Sequence, residues 1–106
     1  MAWILIAIAG LLEVGWAIAL KESSGFSRLT PTLIFVPLYL LSAVLLGLAL
    51  RSLPVGSGYA VWVGIGALGA AAAGILFFNE SIAPARLIPL GLIAIGVIWL
   101  AAVETG

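Results

Sequence analysis

Neither cysteine nor histidine occurs among the 106 residues, and only 8% of them carry a charge. Without thiols the chain can build no disulfide framework and no thiolate metal site. Without imidazole it lacks the commonest metal ligand and the commonest general base, so it does not read as an enzyme, and no metal or cofactor is expected. The four basic residues balance four acidic ones and nowhere form a run. Nucleic acid, a polyanion, therefore finds nothing to bind.

What the chain does have is apolar length. Hydrophobic residues make up 65%, against about 45 to 50% in soluble domains. Charges and turn formers cut the sequence into four apolar segments, at about 2–20, 31–50, 58–78 and 87–103, separated by Lys21 to Gly25, Arg51 to Pro54 and Asn79 to Ser81. Each approaches the roughly 20 residues a helix needs to cross a bilayer core. The expected fold class is an all-α membrane protein with four transmembrane helices in one domain, 1–106, and a multi-pass location in the cell's inner (plasma) membrane. The first segment has no basic region ahead of it, and its apolar run exceeds that of a secretory signal, so it is read as a mature span. Short connections predict that helices adjacent in sequence pack antiparallel. Pro37 is expected to kink the second helix, while Pro31 and Pro84 suit helix starts.

Glu13 interrupts the first apolar segment near its middle. An acid at that depth costs about 2.5 to 3.5 kcal/mol on insertion scales, so something must compensate for it. At 100° per residue Ile6, Ala9, Gly10, Glu13, Trp16 and Ala17 share a face, with small residues on one side of the carboxylate and an indole on the other. Tyr59, Trp62 and Gly66 form a second stripe on the third segment, and Ser42 supplies a hydroxyl near the middle of the second. Aromatic faces attract cations, and indole, phenol and serine groups can hold a carboxylate. A cation site assembled from Glu13, Trp16, Ser42, Tyr59 and Trp62 is the economical reading. The bland alternative, in which the aromatic residues fill core or lipid-facing positions, stays open for each of them.

Four helices are too few to enclose a solute path, so an oligomer is expected. In lipid, small residues mark close helix contacts. Gly66, Ala70 and Gly74 recur at four-residue spacing as a packing stripe, within the subunit or between subunits, and Gly91 and Gly96 suggest another close approach. Trp3 and Trp99, near span ends, fit the interfacial aromatic belts. Lys21, Arg28 and Arg86 fall on one side and Arg51 on the other. That bias favours cytoplasmic loops at 21–30 and 79–86, and is small enough to permit insertion both ways.

Several stretches together carry a family resemblance along nearly the whole chain: Ala9-Gly10-Leu11-Leu12-Glu13-Val14, Gly25-Phe26-Ser27-Arg28-Leu29, Leu53-Pro54-Val55-Gly56, and Tyr59 through Ala67. On these the chain resembles the small multidrug resistance family. Trp16 and the Gly64-Ile65-Gly66-Ala67 run look most like its guanidinium exporter subtype. The resemblance implies an antiparallel, dual-topology dimer whose paired glutamates exchange protons for a cation, with roles for Gly10, Glu13, Trp16, Ser42, Tyr59 and Trp62. Ala43, Val63, Ser81 and Ala101 depart from that subtype's pattern. The alternatives carried forward are a promiscuous quaternary ammonium antiporter, one half of a heterodimeric pair, a passive pore, and an assembly subunit.

Overall fold

The computed structural model describes residues 1–105, and among them four helices follow in order: α1 (Ala2–Glu22), α2 (Leu29–Ala49), α3 (Val55–Phe77) and α4 (Pro84–Thr105). All four are long and apolar enough to cross a membrane. α2, α3 and α4 start a little ahead of their apolar runs, because proline suits a first turn, where its missing N–H has no helical acceptor. Pro54 is the N-cap of α3, and Pro84 opens α4.

The α1–α2 connection is tied by its own serines. Ser23, fully buried, donates its hydroxyl to the Leu20 carbonyl at 2.6 Å and accepts the Phe26 N–H at 3.1 Å. Its carbonyl takes the N–H groups of Ser27 and Arg28. Ser24, Gly25 and Phe26 all adopt positive φ, and Gly25 gives this left-handed run one position free of steric cost. A salt bridge between Arg28 and Glu22 at 3.4 Å closes the turn on the outside.

Packing order departs from chain order. The short connections predicted contact between consecutive helices, yet α2 and α3 barely touch, and α1 lies between them. Close approach explains the choice: α3 turns Gly66 and Gly69 toward α1. A Cβ built on Gly66 or Gly69 would collide with Glu13 or Val14, and α1 returns the fit at Gly10, where a Cβ would stand 2.6 Å from the Ile65 side chain. Helices approach this closely only where side chains are missing, and α2 offers α3 no such seam.

α4 packs on α3 alone. Val97 fills the gap left by Gly64, but Gly91 and Gly96 meet no neighbouring atom, so the second close approach expected on α4 does not occur within the subunit. None of the candidate span on α4 is buried. The result is a slab of 43 × 35 × 16 Å with α4 at one edge. Its core gathers Ile6 and Ala9 from α1, Leu46 and Ala49 from α2, and Val61 and Trp62 from α3. Trp3 packs against this cluster, whereas Trp99 is exposed. Ile4, Leu11, Leu33, Leu40, Ile88 and Leu92 lie on the outside, as a lipid-facing surface requires.

Candidate functional site

Glu13 occupies the middle of α1, half-buried against α3. Its carboxylate rests on the bare backbone of Gly66, in space that any side chain there would fill. One carboxylate oxygen, Oε1, is buried and meets no hydrogen-bond donor among the described residues. The indole Nε1–H of Trp16, one turn further along α1, is likewise buried and meets no acceptor among the described residues. One helix thus carries a buried, unsatisfied acceptor turned to α3 and a buried, unsatisfied donor whose ring meets α2. Polar groups in such a setting are normally paired, so each of these two orphans needs an explanation.

The remaining residues expected at the site fall into two groups. Ser42, fully buried, donates its hydroxyl to the Ala9 carbonyl at 2.7 Å and accepts the Trp62 Nε1–H at 3.1 Å. A serine has a single proton to give, so in this arrangement it goes to Ala9 and not to the carboxylate. The Ala9 carbonyl is also the one that accepts Glu13's own N–H in a regular helix. The chain Trp62–Ser42–Ala9 therefore fixes α1 one turn before Glu13, bracing the acid through its backbone. Trp62 itself lies in the core. Tyr59 is exposed, its ring 5.5 Å from that of Trp62. Gly10 is buried and seats Ile65 immediately before Glu13.

The packing stripe divides in the same way. Gly66 receives Glu13, Gly74 receives the Glu80 carboxylate, and Ala70 lines a cavity between α1 and α3. Its two glycines are thus occupied within the subunit. Around Trp16 the fold adds partners that residue spacing alone does not reveal. Phe35 and Tyr39 on α2 meet the indole edge-on at 5.7 and 5.3 Å and stack on one another, with Phe26 against Phe35. Phe35, Tyr39 and Ser42 recur at helical spacing, a signal that becomes readable only once α2 is known to face Trp16.

Ser42→Ala removes the acceptor of a buried indole N–H. Its expected cost is about 1 to 3 kcal/mol, measured as a lower unfolding midpoint in detergent with a shifted tryptophan emission.

No group of histidine, cysteine or acidic residues able to hold a metal occurs among the described residues. A multi-span bundle with one intramembrane acid, one of its oxygens buried without a donor, has the character of a small membrane transport protein. The chain belongs to the small multidrug resistance family, whose description, Small Multidrug Resistance protein, matches residues 1–93. It is similar to proteins named Guanidinium exporter: 57% identical to that of Citrobacter freundii, and 56% to those of Salmonella typhimurium (strain LT2) and Escherichia coli (strain K12). Each match spans 100 residues, 94% of this chain and 95% of the relative. It is a multi-pass protein of the inner membrane.

Proposed function

We propose that this protein is a secondary active transporter that exports small organic cations, foremost guanidinium and substituted guanidinium ions, in exchange for protons. The observation that carries this reading is the unsatisfied Glu13 oxygen, buried in a span whose apolar stretch contains no basic side chain. The acid is left for a cation or proton from outside the chain. The names of the relatives point to the same cation.

The chemistry follows from the carboxylate. Its two oxygens match the paired N–H donors of a planar guanidinium, a charge-assisted fit that an alkylammonium cannot reproduce. A proton takes the same oxygens, so proton and cation exclude one another, and exclusive occupancy is what couples two opposed fluxes. Trp16 offers its free indole N–H to whatever carboxylate or water completes the site. Trp62, Ser42 and Ala9 hold the helix that carries the acid, and Tyr59 stands on the exposed side of this framework.

The working unit in this reading is an antiparallel dimer. The open glycine face of α4 and its lack of buried residues suit a second chain. The small basic bias between the two sides suits insertion in both directions. Two Glu13 carboxylates facing one cavity repel unless a proton or cation stands between them, which adds to the coupling. An identical partner is the simplest case, and a related chain would serve the same geometry.

Flux in proteoliposomes under an imposed pH gradient tests the proposal, comparing guanidinium with a tetra-substituted ammonium ion. Guanidinium movement coupled to protons is expected. Transport of the bulky ion alone would move the assignment to aromatic and quaternary cations, and guanidinium movement indifferent to pH would indicate a passive pore.

A further inference from the structure

Beyond the Glu13 seat the groove between α1 and α3 stays open. The two helices run parallel with Glu13 against Gly66 and Val14 against Gly69, so successive turns pair Ala17 with Ala70 and Lys21 with Gly74. Small side chains on this register leave a cavity of about 290 Å³ that starts one turn from Glu13 and ends among Lys21, Glu80 and Arg86.

Its outer end is a built structure. The Gly74 carbonyl accepts the N–H of Phe78 at 3.0 Å and of Glu80 at 3.1 Å, with Asn79 between them at φ 55°. This turn folds Glu80 back until its carboxylate lies on Gly74, where any Cβ would collide with it. The carboxylate pairs with the guanidinium of Arg86 from the first turn of α4, which also donates to the Ser81 carbonyl at 3.3 Å. Glu80 keeps 36% of its side chain exposed, within reach of solute. On the opposite wall the Lys21 ammonium stands 5.4 Å from the centre of the Phe78 ring.

The outer end of this cavity, one turn beyond Glu13, therefore already holds a carboxylate bound to a guanidinium group, one supplied by the protein itself. Resting on the guanidinium reading above, we infer that Glu80 is a second cation station, where a guanidinium ion takes the place of Arg86 on its way to or from Glu13. Arg86 is tethered, with an effective concentration at Glu80 on the order of millimolar. The station is accordingly weak, filled in passing and expressed in KM more than in tight binding. In an antiparallel pair each membrane face carries one copy of this mouth, so the ion meets it on whichever side it leaves.

Guanidinium uptake by the full-length protein in proteoliposomes tests this, with KM and maximal rate measured for Glu80→Gln, Arg86→Gln and the double variant, and size exclusion in detergent reporting on folding. Glu80→Gln leaves Lys21 and Arg86 unopposed and is expected to raise KM about threefold or more, an effect that fades at high salt. Arg86→Gln frees the acid and is expected to lower KM. The double variant restores the net charge of the mouth without its carboxylate, and its KM is expected to stay raised. An ion pair that merely staples the 79–83 turn would shift both single variants in the same direction. A simple field effect would return the double variant to the wild-type KM. Either result, or an unchanged KM in Glu80→Gln, overturns the station. Should Glu80→Gln fail to fold, Arg86→Gln decides alone, and a KM at or above wild type overturns it. Wild-type protein that moves no guanidinium overturns the export reading together with the station. Transport that is silenced by Glu13→Gln but indifferent to Glu80 overturns the station only.

Discussion

Glu13→Gln is expected to abolish proton-coupled guanidinium transport while leaving the fold intact or more stable. Glutamine keeps the shape of the side chain and can still accept a hydrogen bond, but it has no charge to pair with a cation and cannot act as proton carrier. Truncating one partner of a buried, hydrogen-bonded charge pair typically costs about 2 to 5 kcal/mol, a loss of roughly 30-fold or more in affinity at 1.4 kcal/mol per decade. Stability should move the other way, because the change removes an ionisable group whose placement in the bilayer costs about 2.5 to 3.5 kcal/mol. A variant that is silent in solid-supported membrane electrophysiology, yet unfolds at or above the wild-type midpoint, separates function from structure. Equal pH-coupled flux by the variant would end the assignment of Glu13 as proton carrier.

The second large effect is expected at Gly66, buried on α3. A methyl group at Gly66 would occupy the place of the Glu13 carboxylate. The colliding atoms belong to the far end of a flexible side chain, so Gly66→Ala should fold, with the acid swung out of its seat. Misplacing a reacting group by about 1 Å can cost on the order of a hundredfold, and a fall in guanidinium flux of about tenfold to a hundredfold is expected. Gly64→Ala is the control two residues away. There the new methyl group meets Val97 of α4, overpacking a contact at a cost of about 1 to 3 kcal/mol and leaving Glu13 undisturbed. Stability should therefore fall more in Gly64→Ala and flux more in Gly66→Ala. Wild-type flux in Gly66→Ala would mean that the carboxylate does not need this seat.

Much of the fold was legible because membrane insertion leaves few options. An apolar run of about 20 residues with its backbone satisfied internally has to be a helix, and a lone acid inside one is conspicuous. The direction of the Ser42 proton was not legible. Both the Ala9 carbonyl and the Glu13 carboxylate are acceptors, and only the seating of α2 against α1 selects between them. Trp62 shares a stripe with Tyr59, yet one ring is buried in the core and the other lies open, since Trp62 packs among residues of α1 and α2 and bonds Ser42. Gly91 and Gly96 look like a contact in sequence and meet nothing in the subunit, because small residues permit an approach without creating a partner.

By itself the amino-acid sequence determined the number of spans, the lack of any thiol or imidazole, and the one acid set in the middle of an apolar run, Glu13. These follow from hydropathy and residue type, which act locally along the chain. The tertiary structure alone decided that α1 stands between α2 and α3, that Gly66 is the bed of the acid, and that Glu80 and Arg86 close the mouth above it. Each depends on which helix faces settle against one another. In a bilayer, where apolar faces gain little from meeting, that choice is made by the fit of small residues to particular neighbours.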